Sequence, residues 1–516
     1  MTGEGKRRDA DKSRQELLDE IYYLRDVAGE RGQRAGDLEN RLAAMVGALQ
    51  GVLQSRSWRL TRPLRLLRRG RGDLPDASLA ALVASEESRG RVVHTALHVP
   101  TRVPSFATPA ERSSAAACLF VDVSELALRH GQTGIQRVVR EIARALLFAP
   151  PEAFEVELVY AMPGQPYRYA RIFAAGLTGT PESSSTVTMD TPVEPRAGDV
   201  FLGLDHAMGA VIEHADELAA MKAKGVRLCF VLNDTLPLSH PEWFPPEVSV
   251  TFKKWFEIMA GIGDGIACIS QATAADARDW LERLQIPQEQ WPVLGWFHLG
   301  ADGVAKDTGD TVITHEAKAT LARLRDRPSF LMVGTLEPRK GHAQALEAFN
   351  QLWAQGEDVA LVLVGRPGWM TDVLQRRIRH HDEFGERLFW CMDANDALLD
   401  KFYGTCTALL VPSEGEGFGL PLVEAARHGL PILCRDLPVF REVVGGCPAY
   451  FSGYDAKSLA HVIRDWLAAH GRHSVPETKH MPWLTWPESA AQLIDLVQGL
   501  CSKPEPASDS RGAKQP

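Results

Sequence analysis

The sequence has little cysteine: eight residues in 516, with no CxxC pair and no clustering with histidine, which argues against a disulfide framework. Several lie inside apolar runs (CLFVD, LCFVL, ACIS, PILC), where a buried thiol is expected, and a reducing compartment fits. No run of about 18 apolar residues exists to form a membrane span. The charged start MTGEGKRRDADKSRQELLDE leads into no apolar stretch, so no secretory signal is read, and any membrane contact is expected to be peripheral. An excess of positive charge is missing too: 57 Lys+Arg face 66 Asp+Glu, a formal −9, which argues against a general nucleic-acid binder. With 45% hydrophobic and 24% charged residues, 43 Gly and 32 Pro, collagen, wholesale disorder and a polytopic membrane protein are excluded. At roughly 100–200 residues per domain the length predicts about three units.

The charge is unevenly spread. Residues 1–72 hold 16 Lys+Arg and 10 Asp+Glu, so a basic arm precedes an acidic body. Within it, residues 13–53 predict helix with a heptad seam running Leu17, Ile21, Leu24, Ala28, Arg31, Ala35, Leu38, Leu42, Met45, Leu49, Val52, broken only by Arg31. Self-association through a coiled coil is expected, the alternative being one amphipathic helix docked on its own body; five glycines weaken the helix. Residues 55–72, SRSWRLTRPLRLLRRGRG, carry seven arginines and no acidic residue, interleaved with Trp58 and leucines. That composition suits an interfacial helix on anionic lipid, kinked at Pro63, or else a solvated basic linker or an arm paired with the acidic body. Residues 73–115 are expected to be a loose connector.

From 116 the texture becomes short apolar runs alternating with helical stretches. CLFVD (118–122), VELVY (156–160), DVFLG (199–203), VRLCFVL (226–232), GIACIS (265–270) and VLGWF (293–297) are strand candidates, with a helix opening near Gly134. The pattern restarts with FLMVG (330–334), ALVLVG (360–365), RLFWC (387–391), ALLVP (408–412) and PILC (431–434). Near-continuous apolar strands between helices predict parallel sheets covered on both faces. The fold class is therefore α/β, with two Rossmann-like domains, 116–300 and 301–485, facing a cleft, and 298–327 as the expected linker.

The richest stretch is PSEGEGFGLPLVEAARHGLPILC, 412–434. A strand ends at Pro412, a Gly-rich turn presents Glu416, Gly417, Phe418, Gly419 and Leu420, and Pro421 falls in the first turn of a helix, where it is tolerated. Glycines let backbone N–H groups approach a ligand, and the helix start favours an anion. Two carboxylates, Glu416 and Glu424, are a poor choice for binding an anion alone. They accept hydrogen bonds from hydroxyls, so the stretch fits a ligand bearing both a diphosphate and sugar hydroxyls.

The E-x7-E pattern from Glu416 to Glu424, embedded as EGFGLPLVEA after a strand ending in VPS, resembles the retaining GT-B glycosyltransferases of family 4, or glycosyl transferases group 1. The resemblance spans roughly 116–500 and includes GTLEPRKG (334–341), LVLVG (361–365), TGIQRVVRE (133–141), NDTLPLSHPEWF (233–244), LGAD (299–302) and TWPESA (485–490). It implies a GT-B fold whose last helix, about 486–500, crosses back to the first domain, leaving 501–516 as a disordered tail. It also implies that Glu416 meets donor-sugar hydroxyls, that Phe418, Gly419 and Leu420 offer amides, and that Glu424 holds the nucleotide ribose. Arg339 and Lys340 would neutralise the diphosphate, and Gly134 would let the backbone approach from the acceptor side. No metal is expected, because side chains supply the positive charge and no DxD-type motif stands out.

Two positions depart from the family pattern. Thr335 stands where members carry an Arg, with Arg339 able to take over its charge, and Asn233-Asp234 stands where many have His-Asp. Asp234 or His240 would then line the acceptor side. EPRKG and TGIQRVVRE resemble O-antigen mannosyl- and rhamnosyltransferases. The expectation is a retaining transferase moving a hexose, mannose or a deoxyhexose, from a nucleotide-diphosphate sugar such as a GDP-sugar to a lipid-linked saccharide of bacterial surface polysaccharide. It would be cytoplasmic, peripheral to the inner face of the membrane. A non-catalytic sugar-nucleotide-binding scaffold subunit and a GT-B epimerase are the alternatives.

Overall fold

In the computed structural model the described residues are 116–128, 133–179, 190–302, 315–325 and 327–501. All fall in the second of two compact units, Leu97–Pro516. The heptad segment 13–53, the basic segment 55–72 and the connector 73–115 lie outside the described residues, as does the tail 501–516 apart from Cys501, which closes the last helix.

Two sheets form the unit. The first contains β1 (Ala117–Asp122), β2 (Phe154–Met162), β3 (Gln165–Tyr169), β4 (Val200–Gly203), β5 (Arg227–Leu232), β6 (Gly265–Cys268) and β7 (Val293–Trp296) in the order β3-β2-β1-β4-β5-β6-β7. The second contains β8 (Ser329–Val333), β9 (Ala360–Val364), β10 (Leu388–Cys391), β11 (Ala408–Val411), β12 (Ile432–Arg435) and β13 (Ala449–Phe451) in the order β10-β9-β8-β11-β12-β13. Every pairing is parallel except β2 with β3. Parallel strands need crossover helices, which cover both faces, so alternate side chains of one strand enter different cores. In β1, Leu119 and Val121 join one core while Cys118 and Phe120 join another. In β9, Ala360, Val362 and Val364 face one side and Leu361 and Leu363 the other.

In each sheet the strand order reverses direction between two central neighbours: β1 and β4 in the first, β8 and β11 in the second. The connections leaving such a pair diverge and open a crevice at the strands' C-terminal ends. The segments that follow these four strands are therefore the places to look for a site.

Three features differ from expectation. β3, an antiparallel edge strand, was not foreseen: QPYRY is short and half polar, although Tyr167 and Tyr169 are fully buried. β13 has only three residues. The expected linker 298–327 contains a helix, His315–Leu324, because Ala317, Leu321 and Leu324 share one face and pack on the core. The last helix, Trp486–Cys501, lies along the first sheet: Ser489 Oγ donates to the His298 carbonyl at 2.6 Å and Trp486 Nε1 to that of Asp302 at 3.1 Å. Among the described residues no helix is long and apolar enough to cross a membrane.

Candidate functional site: a carboxylate held by two cations at the mouth of the second sheet

After β8 the chain makes a 3₁₀ turn, Pro338–Lys340, and the following helix starts only at His342. Arg339 and Lys340 thus precede the helix instead of opening it, and their charge is met by carboxylates. Lys340 Nζ donates to Glu416 Oε1 at 2.6 Å, and Arg339 Nη1 donates to Glu416 Oε2 and to the Gly415 carbonyl, both at 3.0 Å. Arg339 Nε also lies 3.0 Å from Glu337 Oε2, close enough for ion pairing but outside hydrogen-bond geometry. Glu416, on the turn after β11, is only 9% exposed at its side chain. Burial alone would raise its pKa, but Lys340 and Arg339 outweigh that and hold it down at about 2. For Arg339 burial opposes the charge, and Glu416, Glu337 and Asp234 more than restore it. Burial pushes Glu337 up, against the pull of the two cations.

The turn 416–420 is shaped by its glycines. At Gly417 a Cβ would overlap the Asn233 carbonyl oxygen, and the Gly417 carbonyl accepts from Ser270 Oγ at 2.7 Å and Thr273 Oγ1 at 3.2 Å, all three residues belonging to the first domain. Gly419 takes φ +98°, a left-handed conformation that favours glycine, and launches the helix Leu420–Arg427. The amides of Gly419 and Leu420 precede the first intrahelical hydrogen bond, and Pro421, next in the chain, has no N–H to leave unsatisfied. Phe418 is buried, its ring edge-on to His298 at 5.5 Å.

Asp234 follows β5 and sits beside Gly417, its Oδ1 accepting from the Leu236 amide at 3.0 Å. His240 is stacked on Trp243 at 3.9 Å and 11°, with Nδ1 3.1 Å from Glu242 Oε1. Gly134 opens the helix Gly134–Phe148 under a Thr133 capping box, with open space where a Cβ would stand. Glu424 is buried a turn inside its helix and both oxygens are engaged: Oε1 accepts from Arg137 Nη1 at 2.5 Å, and Oε2 from the Tyr403 hydroxyl at 2.6 Å. The structure thus gathers Glu416, Arg339, Lys340, Gly417 and Asp234 at one place, and seats Glu424 on the helix that follows the turn.

Residues 314–477 match the family described as Glycosyl transferases group 1. Over 378 residues, 73% of its length, the chain is 38% identical to the serotype-specific mannosyltransferase WbdA of Escherichia coli. It spans only 44% of that relative. Two solved structures resemble it in fold. One is the catalytic domain of starch synthase IV from Arabidopsis thaliana bound to ADP and acarbose (TM-score 0.53, 12% identity, 76% of this chain and 100% of that one). The other is HepE from Anabaena in complex with UDP and glucose (TM-score 0.50, 16% identity, 74% and 99%). The fold is that of an α/β chain with parallel sheets, resembling GT-B glycosyltransferase structures.

Several residues around the glycosyl transferases group 1 region escaped sequence reasoning. Arg137 lies in TGIQRVVRE, one helical turn past Gly134, but its partner Glu424 is 287 positions away. Tyr403 had no motif at all. His206 follows β4, with Nδ1 buried and without a hydrogen-bond partner and its ring edge-on to Trp255 at 5.0 Å. Burial lowers its pKa, opposed by Asp234. Asp122, the last residue of β1, and Asp205, after β4, are buried together. Burial pushes Asp122 up to about 7 and Asp205 to about 6, against the hydrogen bonds each accepts. The sign of these groups in the sequence was their position at or just after the ends of apolar strands.

Proposed function

We propose that the chain is a retaining glycosyltransferase that moves a hexose, mannose or a related deoxyhexose, from a nucleotide-diphosphate sugar, a GDP-sugar in the leading case, to a lipid-linked saccharide in O-antigen or surface polysaccharide synthesis. The observation that carries this is the Glu416 carboxylate clamped between Lys340 and Arg339 where the strand order of the second sheet reverses. Support for mannose comes from the 38% identity to WbdA.

Glu416 keeps lone pairs beyond those used by the two cations and accepts from donor-sugar hydroxyls; the amides of Phe418, Gly419 and Leu420 face the sugar or the diphosphate. Lys340 and Arg339 stabilise the negative charge that grows on the diphosphate as the glycosidic bond breaks, a task often given to a divalent metal. Glu424 holds the ribose. Asp234 and Gly134 approach from the acceptor side. The acceptor hydroxyl attacks the face that the diphosphate leaves, and the departing phosphate oxygen takes its proton, so the anomeric configuration is kept and positioning supplies most of the rate. The basic segment 55–72 holds the protein to an anionic membrane surface, and 13–53 joins copies of the chain.

Incubating the protein with labelled GDP- and UDP-sugars and a lipid extract is the test. Transfer from a GDP-hexose with retained anomeric configuration is the expected outcome. Binding of a donor with neither transfer nor hydrolysis across the panel leaves a sugar-nucleotide-binding scaffold subunit instead. Conversion of a UDP-sugar without any acceptor identifies an epimerase. Removing residues 1–72 should release the protein from anionic vesicles while donor binding survives.

A further inference from the structure

We propose that Arg137, carried by the first domain, is a positioning residue for Glu424 of the second, so that the ribose site is completed from both sides of the cleft. This rests on the ribose role proposed above for Glu424.

Glu424 is 5% exposed, and its two oxygens have one donor each: Arg137 on Oε1 and Tyr403 on Oε2. A carboxylate offers about four acceptor sites. One therefore remains on each oxygen, the number needed for two vicinal hydroxyls. Both donors are themselves held. Tyr403 stacks on His428 at 5.3 Å and 11°, and its hydroxyl stays protonated because burial and Glu424 raise its pKa far up. Arg137 sits in the first turn of the helix Gly134–Phe148, and Glu424, Asp396, Tyr403 and Glu141 hold its charge against the cost of burial. Its fork also lacks one partner: Nε is buried without a hydrogen bond.

The contact links the helix Gly134–Phe148, second in the connection from β1 to β2, to the helix Leu420–Arg427 after β11, and both connections leave their sheets where strand order reverses. A bond that only held the domains together needs no carboxylate from the E-x7-E pattern. Here the carboxylate bound from across the cleft is the one whose orientation decides whether a diol can reach it. The guanidinium suits this task because its planar fork fixes direction as well as charge.

The test is a thermodynamic cycle between Arg137 and the ribose 2′-hydroxyl. GDP with 2′-deoxy-GDP, and UDP with 2′-deoxy-UDP, are titrated calorimetrically into the full chain and its Arg137→Gln and Arg137→Lys variants; the pair whose ribonucleotide binds is followed. The unaltered protein should prefer the ribonucleotide by about tenfold, the worth of one charge-assisted hydrogen bond. In Arg137→Gln the preference should shrink below about threefold, with the ribonucleotide weakened and the deoxynucleotide nearly unchanged. Arg137→Lys, which keeps charge without the fork, should lose it as well and covers the case in which the Gln variant fails to fold. Equal weakening of both nucleotides makes Arg137 a domain tie only and overturns the proposal, as does an undiminished preference in either variant. No preference in the unaltered protein, or no nucleotide binding, instead removes the ribose role of Glu424 and the proposal with it.

Discussion

Ser270 donates its hydroxyl to the carbonyl of Gly417 at 2.7 Å, tying the cap of a helix in the first domain to the turn that presents Glu416. The turn is fixed from the opposite wall of the cleft, so its shape and the closure of the domains are one variable. Gly417→Ala has no room against the Asn233 carbonyl and must part the walls. We expect transfer to fall at least about tenfold, stability to drop by about 1–3 kcal/mol, and small-angle scattering to report a larger radius of gyration. An unchanged radius with full activity contradicts the coupling.

Removing a partner from the Glu416 cluster acts unequally. Glu416→Ala takes the carboxylate from a half-buried Lys340 and leaves Arg339 only Glu337 and the Gly415 carbonyl, at a cost of about 3 kcal/mol, whereas Lys340→Ala leaves Glu416 paired with Arg339 and should cost less. Both should lower transfer by about a hundredfold or more, with circular dichroism still folded. Full activity in either variant rejects the assignment, and melting temperatures in the reverse order reject the pairing.

Titration separates two carboxylates. Asp122 has a native pKa of about 7 against 3.8 unfolded, so the unfolded chain releases its proton first. Stability from this group is present below about pH 4, declines as pH rises toward 7 and is lost above that. Asp122→Asn should abolish that decline, gaining on the unaltered protein by about 2 kcal/mol or more between pH 5 and pH 8. Glu416, held at about 2 from 4.5, works in the opposite sense: its stabilisation is present above about pH 4.5 and fades as pH falls toward 2. Melting temperatures across pH 3–8 check both signs.

Glu442 offers a third probe. Its carboxylate accepts from the amides of Gln271 and Ala272, at 2.6 and 2.9 Å, and lies 2.7 Å from His298 Nε2. It therefore caps a helix of the domain opposite its own. Glu442→Ala should cost about 1–2 kcal/mol, the value of a lost cap, and shift urea midpoints without altering nucleotide affinity. A larger loss of affinity than of stability places Glu442 in the site instead.

Much of this was legible in the sequence because strands β4, β6, β9 and β11 are runs of buried apolar residues and the turn at 412–421 has a pattern unusual enough to point to chemistry. Glu416 with Arg339 and Lys340 could be read together because each follows a recognisable strand. Tyr167 and Tyr169 in β3 could not, since QPYRY alternates over too few positions. Arg137 with Glu424, and Ser270 with Gly417, were hidden for a different reason. They meet across the cleft, and local periodicity carries no information about which loops of two separate sheets come into register.

The return of the last helix to the first sheet has a practical consequence. The chain leaves that sheet near Gly300, and the bridge between Gly300 and Leu484 marks where it comes back, with the Ala301 amide donating to the Leu484 carbonyl at 2.8 Å. The second Rossmann unit is therefore an insert held at both ends. A chimera that exchanges donor preference with a relative should graft the interior segment between these two crossing points and leave the final helix native. Cutting the gene into a front and a back half would strip Leu493 and Val497 from the core they complete.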